Sequence, residues 1–122
     1  MSVGVVAYCD SIAKALVAAG VRAVTDPGRI TVPCVFIAPS EAEFTTLDGE
    51  HARTAFVMHL IAPGKGGMAD MAALSSLAAK VIKANVAPVV TVRLTALQVG
   101  DQELPCFDME WVEQVSWTQG IT

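Results

Sequence analysis

No stretch of this chain stays apolar long enough to cross a bilayer: His59, Pro63, Pro88 and Thr91 break the longest runs well short of the ~18 residues a span needs. The first residues carry no basic leader, and Asp10 and Lys14 interrupt what would be the apolar part of an export signal. Basic side chains are scarce too. Eight Lys and Arg against twelve Asp and Glu leave a net charge of −4, which lacks the cationic footprint that tight binding to phosphate backbones requires. Cysteines number three, an odd count that no complete disulfide framework uses. Cys9 falls in a helical pattern, whereas Cys34 and Cys106 each follow a proline at the head of a strand-like run, and all three are expected reduced and buried. A Cys34–Cys106 bridge remains compatible with the sequence, although a reducing compartment makes such bridges rare.

Recognisable catalytic and metal-binding motifs are missing as well. Gly64-Lys65-Gly66-Gly67 precedes a helix, but a phosphate-binding Walker loop needs Ser or Thr after its lysine, where Gly66 stands. No cysteine or carboxylate lies at a conventional metal spacing from His51 or His59, and the acidic group Glu41, Glu43, Asp48 and Glu50 lacks the ladder of a calcium loop. Asp108 and Glu110 share one strand face with Arg93 opposite, which reads as a surface ion pair. The expectation is therefore no catalytic residue, no metal, no cofactor and no enzyme activity.

What is present is oil and periodicity. A chain of 122 residues is one domain in size and long enough to build a core without staples. Its hydrophobic share is 53%, above the ~45–50% norm, and the excess points to subunit contacts. Val5, Cys9, Ile12, Leu16 and Ala19 form a helical stripe over residues 3–19 that Gly20 ends. Thr25-Asp26-Pro27-Gly28 is a turn, and Cys34-Val35-Phe36-Ile37 a strand closed by Pro39. Asp48-Gly49 joins a hairpin of residues 43–47 and 52–61, whose second arm is covered on both sides.

A second helix spans Met68 to Ala84, with Asn85 just past its end. In the last third Val90, Val92 and Leu94 alternate with Thr91, Arg93 and Thr95, and Phe107, Met109 and Trp111 alternate with Asp108, Glu110 and Val112. A turn at Gly100-Asp101 brings the two apolar sets together and sets Arg93 beside Asp108 or Glu110. The order α-β-β-β-α-β-β predicts an α+β fold: a two-layer sandwich with a mainly antiparallel or mixed sheet of four to five strands and two helices on one face. Trp111 and Trp117 fit either core or interface positions.

Taken end to end, the chain resembles the tail-terminator proteins of long-tailed, siphovirus-like bacteriophages. The likeness rests on the N-terminal helix, the turn Thr25-Asp26-Pro27, the run Val32-Pro33-Cys34-Val35-Phe36-Ile37-Ala38-Pro39, an acidic hairpin, and Leu60-Ile61-Ala62-Pro63-Gly64 ahead of the second helix. Relatives carry two prolines before the cysteine where this chain has Val32-Pro33. The resemblance implies a virion protein of the tail and neck, made in the host cytoplasm, that forms a homo-oligomeric ring, a hexamer. The ring caps the tail tube protein, ends polymerisation and offers a surface to the head–tail connector, while DNA passes through its lumen without specific binding. On this picture residues 39–52 project as a contact segment, and Glu41, Glu43, Phe44, Leu47, Asp48, Glu50, Lys65 and Trp117 lie at protein interfaces. The alternatives are another neck or head–tail joining protein, a small cytosolic enzyme pairing Cys34 or Cys106 with His51 or His59, or a ligand-binding module.

Overall fold

Alternation and helical periodicity build a single five-stranded sheet with two helices on one side. The computed structural model describes residues 4–31, 33–44, 49–62, 68–99 and 101–118. Helix α1 (Val5–Ala18) is followed by a two-residue strand β1 (Ala23–Val24), a 3-10 turn at Pro27–Arg29, and strands β2 (Cys34–Glu43) and β3 (His51–Ile61). Helix α2 (Met68–Ala84) then leads to the hairpin β4 (Thr91–Val99) and β5 (Gln102–Ser116). The sheet runs β1-β2-β3-β5-β4. Only β1 and β2 are parallel, and the other neighbours are antiparallel. The expected α+β class and element order hold.

Local chemistry explains most boundaries. Gly20 takes φ +87°, and its N–H and that of Val21 donate to Val17 and Leu16 at 3.0 and 2.9 Å, the paired bonds of a left-handed helix end. Asn85, φ +52°, closes α2 in the same region. Asp26 caps the 3-10 turn by accepting from the Gly28 N–H at 2.9 Å.

Two expectations about the first half change. The strand begun at Cys34 does not stop at Pro39 but continues to Glu43, with a register shift between Pro39 and Glu41. Its partner is β3 along its whole length, so Glu43 ends β2 instead of opening a separate arm, and residues 45–47 lie outside the described residues. Proline is tolerated there because β1 covers only Val35 and Phe36, leaving the outer side of β2 without a strand that needs its N–H. Asp48 and Gly100, in the two anticipated turns, lie outside the described residues.

The main core sits between the helices and one sheet face. Cys9, Ile12 and Leu16 of α1 and Leu74, Ala78 and Val81 of α2 meet Val35, Ile37, Phe56, Met58, Leu60, Met109 and Trp111. Trp111 is core rather than interface: it stacks on Phe56 at 5.7 Å and donates its indole N–H to the Tyr8 hydroxyl at 2.9 Å. On the opposite sheet face Cys34, Ile61, Leu104 and Cys106 are buried at one end, with Val24, Ile30 and Phe36 against them, and Val57 is buried further along.

The β4–β5 register is as the alternation predicts, with Val92 opposite Met109, Leu94 opposite Phe107 and Arg93 opposite Asp108. The outer strand nevertheless stands beyond the helices. Val90, Val92 and Leu94 are 77%, 49% and 56% exposed, an oily stripe on the sheet edge.

Candidate metal centre

Side chains of a strand alternate between faces, so residues paired across neighbouring strands line up in rows. On the sheet face away from the helices, one row runs Phe36, His59, Asp108, Arg93 across β2, β3, β5 and β4. The next runs Cys34, Ile61, Cys106, Thr95. Pairing of β3 with β5 thus sets His59 directly opposite Asp108. The i,i+2 spacing of β5 puts Cys106 on the same side.

His59 Nδ1 and Asp108 Oδ1 are 2.6 Å apart although forty-nine residues separate them in sequence. The Cys106 thiol donates to the same carboxylate oxygen at 3.3 Å. Asp108 therefore stands in the middle, within hydrogen-bond reach of both neighbours. The His59 and Asp108 side chains are 16% and 19% exposed, while Cys106 is wholly buried. Phe36 stacks on the His59 ring at 5.7 Å and closes the β2 side. Burial, then the negative charge of Asp108 and the hydrogen bond to it, push the Cys106 thiol up to about 12. The thiol is protonated at neutral pH, the opposite of a cysteine tuned for free nucleophilic attack.

One nitrogen, one sulfur and one oxygen donor, all within 4.8 Å of one another, form a group that can hold a metal ion. The set of imidazole, thiolate and carboxylate matches the ligand types of zinc and neighbouring transition metals. Donors ~2.0–2.1 Å from a tetrahedral ion stand about 3.3 Å apart. Binding thus needs the His59–Asp108 contact to open from 2.6 Å by about 0.7 Å and the thiol to release its proton.

This cluster overturns the expectation that the chain carries no candidate site: His59, Cys106 and Asp108 form a group of side chains that could hold a metal ion. Local spacing could not reveal it, because the three residues meet through strand register. The available signal was the Cys106-x-Asp108 pattern on one strand face, read together with His59 on a central strand.

The other anticipated residues lie elsewhere. His51 begins β3 opposite Ser116, ten residues from Ile61 and so ~33 Å from the cysteine row, which removes it as a partner of Cys34 or Cys106. Those two cysteines flank Ile61 in one row, two strand spacings or ~9.6 Å apart, too far for a disulfide. All three thiols are free and buried. Arg93 pairs with Glu110 at 3.3 Å, while Asp108 turns to His59 rather than joining that surface pair.

Of the residues anticipated at interfaces, Glu41, Glu43 and Phe44 are exposed at the far end of β2. Glu50 accepts from the Ser116 hydroxyl at 3.2 Å, and its backbone carbonyl accepts from the Trp117 N–H at 2.8 Å. Trp117 is half-buried, donates from its indole to Thr54 at 3.0 Å and touches Phe44, so the fold gathers Phe44, Glu50 and Trp117 at one end of the sheet. Leu47, Asp48 and Lys65 lie outside the described residues. Among the described residues no helix is long and apolar enough to cross a membrane.

Neither known family models nor curated proteins match the chain.

Proposed function

We propose that this domain is a ligand-binding module whose ligand is a single transition-metal ion of the zinc class, held by His59 Nδ1, Cys106 Sγ and Asp108 Oδ1. The observation that carries the reading is the convergence of three different donor types on one spot of the open sheet face. Three protein ligands leave a fourth position for water or another small molecule, the pattern of sites that do more than hold a fold together. Any ion bound there also ties the central strands β3 and β5. At a free concentration one hundred times Kd it stabilises the fold by about 2.7 kcal/mol.

Zinc titration of the metal-stripped protein against a chromophoric chelator tests this. The expected result is one ion per chain, with His59→Ala and Cys106→Ala binding at least ten-fold more weakly and Cys9→Ala retaining the stoichiometry. Equal zinc uptake by wild type and both site variants rejects the reading.

A second reading draws on a different observation, the exposed stripe Val90, Val92 and Leu94 on an outermost strand. Apolar side chains on a sheet edge invite pairing with another chain. That supports an assembly subunit of the tail-terminator kind, a ring on the phage tail tube bound to the tube protein and the head connector, with Glu41, Glu43 and Phe44 at a contact. Light scattering on the purified protein tests it: annular oligomers are expected, and a strict monomer at high concentration speaks against it.

A further inference from the structure

The surroundings of the donor cluster are unequal. On the β2 side Phe36 stacks on His59, and along the strands the buried group around Ile61 and Leu104 closes one end. The β4 side is different. Thr95 stands opposite Cys106, Arg93 opposite Asp108 and Thr91 opposite Glu110, all three exposed on the cluster's own face. Directly opposed Cβ atoms on neighbouring strands are ~4.5–5.5 Å apart, so two threonines and an arginine border the site on its β4 side.

We infer that this flank binds an oxyanion, a carboxylate or phosphate group shared between the ion and the Arg93 guanidinium. The inference rests on the metal reading above. Arg93 is held on one side by Glu110 through Nη2, and a guanidinium has five N–H donors in a planar fork, so donors remain for a second acceptor. Thr95, directly opposite Cys106, offers its hydroxyl as a further donor. Charge makes the two events dependent. Without the ion Asp108 and Glu110 stand against the one guanidinium of Arg93 and disfavour an anion, whereas a divalent cation, with the thiol proton lost, brings that sum from −1 to zero and offers the anion an electrophilic open position. Anion binding should therefore appear only in loaded protein.

Cobalt(II) serves as the probe, because its sulfur-to-metal charge-transfer band reports the Cys106 bond and its visible d–d bands report the open position. The cobalt-loaded full chain is titrated with inorganic phosphate and, separately, with acetate, at constant ionic strength. A saturable change in the d–d bands with an intact charge-transfer band is expected, and the relative affinities of the two arms assign the anion to the phosphate or the carboxylate class. Arg93→Gln, a substitution at a largely exposed position, should keep the charge-transfer band and weaken anion binding ten-fold or more. Thr95→Ala should weaken it about three-fold. A charge-transfer band with d–d bands indifferent to both anions, or an Arg93→Gln titration identical to wild type, overturns the inference alone. Absence of the charge-transfer band overturns the metal reading and this inference with it.

Discussion

Cys9 is buried on the inner face of α1, and burial, followed by the charge of Asp10, pushes its thiol from the ordinary value of 9.0 up to about 11. A folded-state value above the unfolded one means that the folded chain holds this proton more tightly. The associated stability is complete below pH ~9 and is lost as the pH rises through 11. The shift corresponds to about 2–3 kcal/mol, and Cys34 and Cys106 shift in the same direction. Urea unfolding of the metal-free protein should accordingly give a constant free energy from pH 7 to 8.5 and a decline from 9 to 11. Cys9→Ala should flatten part of that slope, and an unchanged slope counts against the assignment. At this scale the sequence was readable where a residue acts through its own surroundings: Cys9, Cys34 and Cys106 are reduced and buried as their contexts suggest. It was not readable where a residue acts through a distant one. The alternation leaves both Asp108 and Glu110 open as partners of Arg93, and only Glu110 takes that place; Asp108 turns to His59, because nothing local says which of two neighbouring strands a carboxylate will face.

Elements were legible in proportion to their length and punctuation. The 17-residue helix α2 begins at Met68 and ends at Ala84, where the periodic apolar residues and Asn85 place it. The register of β4 and β5 follows from strict alternation. The two-residue strand β1 carries no pattern to recognise, and Pro39 misleads because a missing N–H ends a strand only where a partner needs it. The helix ends provide a test of the backbone argument. A Cβ at Gly20 would meet nothing within 4 Å, so Gly20→Ala costs only the strain of a left-handed residue, about 1 kcal/mol. Asn85 already sits at positive φ, and Asn85→Gly should be neutral or stabilising by a few tenths of a kcal/mol. Chemical unfolding of both variants checks the pair. A Gly20→Ala variant as stable as wild type would show that α1 does not depend on this cap.

The whole molecule answers the question raised by its composition. Much of the apolar excess goes into the core under the helices, and a remainder lies exposed along the outer strand at Val90, Val92 and Leu94. Replacing Val92 with Thr and Leu94 with Lys removes part of that stripe without touching the core, so unfolding stability should stay within ~0.5 kcal/mol of wild type. If the stripe joins copies, the double variant should sediment as a monomer under conditions where wild type self-associates. Indistinguishable sedimentation of the two proteins assigns any association to another surface. Strand β5 has two sides, and they are physically one object: Asp108 faces the open side, while Trp111, three residues further along and on the other side, lies stacked on Phe56 of the strand that bears His59. If an ion changes the spacing of β3 and β5, the indole and the phenyl ring on the same two strands re-space with it. Titrating zinc while following tryptophan emission tests that coupling: a change that Trp111→Phe abolishes while zinc uptake persists is expected, and an emission indifferent to zinc counts against it.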